Sequence, residues 1–103
     1  MSELDYQWPW RELPEGAEQT GLQQRCDYEI TPAHALWGRQ GAVVARSDAG
    51  DDVLVRLADG SHAIVHLTWG DAPGNADWPH ALVLATIGEV NAAIAPEAED
   101  KGA

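Results

Sequence analysis

Residues 41–69, GAVVARSDAGDDVLVRLADGSHAIVHLTW, hold three short apolar runs separated by two clusters of turn-forming residues. Runs of four to eight β-branched and aliphatic residues bounded by Gly, Asp and Ser are the pattern of consecutive strands. The spacing predicts strands at 42–46, 52–57 and 62–69. The second turn fixes the register. A two-residue Asp59-Gly60 turn would put Val53, Val55 and Leu57 on one face with His62, Ile64 and His66. A three-residue loop, Ala58-Asp59-Gly60, with Gly60 in the left-handed bulge position, pairs Leu57 with Ser61 instead. Only the second register gives a continuous apolar face, made of Val53, Val55, Leu57, Ala63, Val65 and Leu67, because a one-residue slip moves every side chain to the other side. The opposite face, with Leu54, Arg56, His62, Ile64, His66 and Thr68, is then half polar.

Helical patterns flank this meander. Thr20 and Gln23 have capping-box spacing, and Leu22, Cys26 and Ile30 follow at i, i+4 and i+8, so a helix is expected over 21–30, closed by Thr31-Pro32. Residues 34–40 carry Leu36 and Trp37 toward the sheet as a short strand or a turn. Residues 82–85 fit a fourth strand. Thr86 and Glu89 form a second capping box, and Ile87, Val90 and Ile94 give an apolar stripe for a helix over 87–95 that Pro96 ends. Residues 1–18, acidic and broken by two prolines and a glycine, read as an ordered arm without regular structure, and 97–103 as a solvated tail. The fold expected is one α+β domain, its core over 19–96, with a three- to four-stranded antiparallel meander and two short helices; 103 residues leave room for one such domain.

The run TPAHALWG at 31–38, then VARSDAGDDVLVRLADGSHAIVHLTW, a proline-containing loop and an acidic C-terminal helix, resembles a group of small bacterial proteins. In that group a helix and a G-H-x-L-x-G-like turn precede a D-D-V-L…D-G…V-H-L-T-W core. The resemblance covers residues 20–95, with Ala33 standing where the turn usually has glycine. It implies the same fold and brings no activity or site residue with it.

Asp and Glu number 17 against 6 Lys and Arg, a formal charge of −11. Such a field repels nucleic acid and favours basic partners, and the lysines and arginines that interleave aromatic residues in single-strand binders are missing. A single cysteine excludes an internal disulfide and fits a reducing cytoplasm. The N-terminal stretch has acidic residues where a signal peptide has basic ones, and no apolar run reaches membrane-spanning length. A soluble cytoplasmic chain is the expectation.

No catalytic set emerges. His62 and His66 share a face, but four residues of strand separate them by roughly 13 Å, too far for two ligands of one metal. Neither a helical H-x-x-x-H nor a C-x-x-C supports a metal through His34 or His80, so no metal or cofactor is expected. The expectation is a hydrogen-bonded, partly buried His66 and three solvated histidines. Cys26 falls on the apolar face of its helix, the place of an inert buried thiol. Ser47 and Ser61 are turn residues, with no G-x-S-x-G elbow or phosphate loop nearby.

The candidate contact residues are loop carboxylates and one aromatic: Asp48, Asp51 and Asp52 around one turn, and Asp71 and Asp77 in the proline- and glycine-rich segment that leads to Trp78. Clustered carboxylates of this kind speed encounter with cationic proteins, and tryptophan is a frequent anchor of interfaces. Trp37 and Trp69, which adjoin regular elements, are expected in the core; burial is also the first expectation for Trp8 and Trp10. Charge, size and the lack of catalytic machinery point to a binding protein, most concretely an immunity-type inhibitor of a basic bacterial toxin. The alternatives are an interaction or regulatory subunit, homodimeric through the half-polar sheet face or monomeric, and a small hydrolase or isomerase using His66 with Asp52, which the register places opposite each other.

Overall fold

The computed structural model describes residues 4, 6, 8–32, 34–39, 41–70 and 79–94. Its elements are β1 (Trp10–Glu12), α1 (Ala17–Glu29), β2 (Ala42–Ser47), β3 (Asp52–Arg56), β4 (His62–His66), β5 (His80–Leu84) and α2 (Ile87–Ala93). The strands form one antiparallel sheet in sequence order, an α+β fold with five strands instead of three or four.

The register at the second turn is the one that the apolar pattern requires. Val53 lies opposite Val65 and Val55 opposite Ala63, while the Leu57 N–H donates to the Ser61 carbonyl at 2.8 Å. Gly60 has φ 93°, a left-handed conformation that glycine adopts without strain, and its N–H closes the loop onto the Leu57 carbonyl. The Asp59 carboxylate accepts from the N–H and hydroxyl of Ser61, which stiffens the turn.

Both faces of the sheet are covered. Leu22 and Cys26 of α1, with Leu13 and Leu36, pack on Val43, Val53, Val55, Leu57, Ala63, Val65 and Leu67. At the start of β2, Gly41 passes so close that a Cβ there would collide with Val55. On the other face Val90 and Ile94 close over Ala45, Leu54 and Leu84, with Leu4, Tyr6, Trp10 and Ile64 at the margin. That face, expected to be half polar and in one alternative to form a dimer, is filled at its centre by α2.

Three local expectations are corrected. Residues 10–12, read as irregular arm, are a strand: Trp10 lies opposite Ser47 and Glu12 opposite Ala45. A three-residue strand between two prolines shows no alternation, so its partner in β2 defines it. The first helix begins at Ala17 with Gly16 as its cap, and the Thr20 N–H makes an intrahelical bond to the Gly16 carbonyl, so Thr20 caps nothing. The third is a bulge in β2. Val43 lies opposite Val55 and Ala45 opposite Leu54, which leaves Val44 as an extra residue. The bulge puts Ala45 on the α2 side and returns Arg46 to the α1 side. Its carbonyl accepts from the Leu13 N–H at 2.9 Å, so Val44 continues the ladder to β1 while it interrupts the ladder to β3.

The second helix behaves as its sequence predicts, ending two residues sooner. Thr86 caps it, its hydroxyl accepting from the Glu89 N–H at 3.1 Å, and Val90 is buried.

Candidate protein-binding surface

The register brings one end of the sheet into a row: Trp10, Ser47, Asp52, His66 and His80 lie side by side across the five strands. The connection that holds Asp48 and Asp51 sits at this end, as do Trp69 after β4 and Pro79 before β5. Asp71, Asp77 and Trp78 lie outside the described residues.

The three aspartates of the 48–52 turn have different surroundings. Asp48 is neutralised within the fold. Its carboxylate accepts from Arg11 Nε at 2.7 Å and lies 3.7 Å from Arg46 Nε, and its N–H donates to the Pro9 carbonyl. Arg11 also grips Glu18 with two bonds, at 2.6 and 3.0 Å, which holds the Glu18 carboxyl below its usual range. Asp52 is paired with His66, Oδ1 to Nδ1 at 2.7 Å, at an exposed position. Asp51 is exposed, and its backbone carbonyl anchors the Leu67 N–H. Ser47 closes this turn by accepting from the Ala49 N–H, the structural role that its position predicts.

Beside this turn stands Trp8, 73% exposed and one residue from the Pro9 carbonyl that holds Asp48. On the other flank is Trp69, 51% exposed. Trp69 was expected in the core, as was Trp37, which is also exposed; Leu36 takes the inward position of the 34–39 turn in its place. Trp69 is turned outward by its backbone. Its φ is 57°, a left-handed conformation that a bulky residue seldom adopts.

That conformation is held from below by Glu29, which is 1% exposed. Its carboxylate accepts from the N–H groups of Thr68 and Trp69, at 2.8 and 2.9 Å, and from Arg25 Nε at 2.6 Å. Burial pushes the Glu29 carboxyl upward, yet these hydrogen bonds outweigh it and hold the group below the ordinary carboxylate range. Arg25 also donates to the Gly70 carbonyl at 2.5 Å, and its guanidinium lies 4.9 Å from the Tyr28 ring centre and 5.3 Å from that of Trp69. A buried ion pair, two backbone bonds and a cation between two aromatic rings thus display one tryptophan. The i, i+4 spacing of Arg25 and Glu29 is visible in the sequence; their tie to residues 68–70 is not.

The histidines divide differently from expectation. His34 is buried, not solvated. Its Nδ1 accepts from the Leu36 N–H, so Nε2 carries the proton and donates to the Pro79 carbonyl at 2.7 Å. His62 is buried as well, and burial, then the nearby Arg56, lowers its pKa. His66 is exposed, its bond to Asp52 as the register implies. Among the described residues no three His, Cys, Asp or Glu side chains are grouped to hold a metal ion. The Cys26 thiol is buried and pushed up to about 12, first by burial and then by Asp27 and Glu29, so it is a packing residue.

A cleft of about 690 Å³ beside α1 is lined by Cys26, Ile30, Leu36, Trp37, Val55 and Leu57 among others. Of its polar side chains, Gln23 is spent on the Gly41 carbonyl and the Val43 N–H, and Asp27 accepts from the Gln23 amide at 3.1 Å; the rest of the lining is apolar or glycine. No described helix is long and apolar enough to cross a membrane. Compared with known protein families, curated proteins and solved structures, the chain matches none.

Proposed function

We propose that this chain is a small acidic binding protein for a basic protein partner, most concretely an immunity-type inhibitor that covers a basic bacterial toxin. The observation that carries this reading is the end of the sheet where Trp8 and Trp69 project on either side of the Asp48–Asp52 turn, with Trp69 fixed by buried Glu29. A buried carboxylate costs free energy, and spending it on the backbone of an outward tryptophan gives that ring a preset orientation. Exposed tryptophans flanked by carboxylates combine an apolar anchor with long-range attraction for a cationic surface. Arg11, Arg25, Arg39 and Arg46 are each in ion pairs with the chain's own carboxylates, so the outward field stays negative.

The test is to look beside the gene for one that encodes a basic effector domain, to co-express the two proteins, and to measure binding by surface kinetics. Protection of the host together with complex formation that weakens as salt rises is the expected result. Host death despite expression, or binding indifferent to salt, overturns the reading. The alternative of a small hydrolase or isomerase is favoured by the 2.7 Å contact of His66 with Asp52; it requires turnover that His66→Ala abolishes.

A further inference from the structure

The two edges of the sheet are finished differently. β1 has three residues, follows Pro9 and carries Arg11 and Glu12. Shortness, proline and charge are the devices by which sheets block edge-to-edge pairing. β5 has five residues, His80-Ala81-Leu82-Val83-Leu84, with no proline, bulge, carboxylate or lysine, and it leaves Leu82 56% exposed.

The backbone groups that face outward follow from the register. The bonds from Leu57 N–H to Ser61 and from Leu67 N–H to Asp51 mark the hydrogen-bonded pairs between β3 and β4. Alternation along an antiparallel ladder then turns His62, Ile64 and His66 toward β5, where their partners are Leu84, Leu82 and His80. Ala81 and Val83 therefore direct N–H and C=O away from the sheet. The next outward groups on either side are already used. Pro79 has no N–H and its carbonyl accepts from His34, while the Ala85 N–H donates to Glu89 at 2.8 Å. Four open groups remain, two donors and two acceptors, with no partner among the described residues.

We propose that this edge pairs with the same edge of a second copy, antiparallel about a two-fold axis at Leu82. In that register Ala81 and Val83 of the copy exchange both bonds, and symmetry repeats the exchange, so all four groups are satisfied on each chain. Leu82 meets its own counterpart in the close, non-hydrogen-bonded spacing of about 4.5 Å. Val83 of the copy falls beside Ala81, on the face where a groove of about 300 Å³ is lined by His34, Leu36, Pro79 and Ala81. A second copy fits better than a basic strand because β5 offers no carboxylate to attract one. It is also a stretch where two chains of formal charge −11 approach without opposing acidic side chains. One strand pair buries less than the roughly 1,200–2,000 Å² of a standard interface, so the association is weak.

Sedimentation equilibrium of the full chain, from about 10 μM to 1 mM and at about 0.05 and 0.5 M NaCl, tests this. A monomer–dimer equilibrium that strengthens as salt screens the like charges is expected, opposite in sign to the salt dependence of a basic partner. Leu82→Lys, at an exposed position, and Ala81→Pro, which removes an outward N–H, should each weaken the dimer about tenfold or more. Both should leave the circular dichroism spectrum of the dilute protein unchanged. Amide exchange at Ala81 and Val83 should slow as the dimer fills. The proposal is overturned by a monomer at the highest concentration and salt, by a dimer that survives both substitutions, or by one that dissociates as salt rises. It is equally overturned if the chain stays monomeric and Ala81→Pro instead abolishes binding to the basic protein, which would give the edge to that partner.

Discussion

Glu29 and His62 are the residues whose charge states the fold constrains in opposite senses, and each writes a stage into the acid stability of the protein. The His62 pKa lies below the ordinary 6.5, so the neutral ring favours the fold fully above about 6.5, and that contribution is lost as pH falls from there toward the lowered value. The Glu29 carboxyl lies below the ordinary 4.5; its contribution is complete above that pH and is lost as pH falls through the lowered value. Urea midpoints measured from pH 8 to pH 3 should therefore decline in two stages. His62→Leu should remove the first stage, and Glu29→Gln should shrink the second, which Glu18 and Asp59 share, while costing about 3 kcal/mol at neutral pH, because the amide keeps one acceptor oxygen for three donors and turns its own NH2 toward the rest. A decline confined to pH below 4.5 in the unaltered protein, or an upper stage that survives His62→Leu, contradicts this. The sequence shows Arg25 and Glu29 four apart on a helix, a spacing shared with many solvated pairs, and nothing local announces that the second of them is buried under residues 68–70. His34 was illegible for the same reason: its partners are a turn two residues away and a carbonyl 45 residues away.

At the scale of elements, the meander was readable because strand alternation, turn chemistry and core continuity all chose one register. Val65→Ala should cost about 1–3 kcal/mol, and Ser61→Ala, at a turn whose Asp59 keeps the backbone bond, should lie within about 0.5 kcal/mol of zero. Gly60→Ala should cost about 1–2 kcal/mol for its left-handed φ. Equal losses for Val65→Ala and Ser61→Ala in denaturant melts would mean that the core lies on the other face. β1 and the Val44 bulge escaped the sequence because neither has a period of its own; each exists through pairing with a distant strand. The cap of α1 was misjudged because Thr20 matches a capping pattern that Gly16 pre-empts one turn earlier.

For the molecule as a whole, the charge excess and the tryptophans have separable consequences. If the acidic end of the sheet meets a basic partner, Asp51→Asn and Asp52→Asn should slow association and flatten its salt dependence. Trp69→Ala should act chiefly on dissociation and cost on the order of 2 kcal/mol, with Trp8→Ala as the companion measurement. Surface kinetics separates the two effects; equal changes in both rates for every variant would dissolve the division of labour. Composition made the sign of the chain's own charge legible. Which tryptophans are exposed was not, since the exposure of Trp69 goes with one backbone angle and with the buried carboxylate beneath it.

Val44 lets one strand keep two rhythms. It is in step with β1 and out of step with β3, so it is the residue by which β2 serves two neighbours with different needs. Delete it, and Val43, Ala45, Arg46 and Ser47 keep their faces against β3 in an unbroken ladder, while the hold on Leu13 is lost. A β2 shortened by this one residue should therefore keep its core against β3 and its pairing of 45–47 with 10–12, and give up only the bond that carries the β1 ladder on to Leu13.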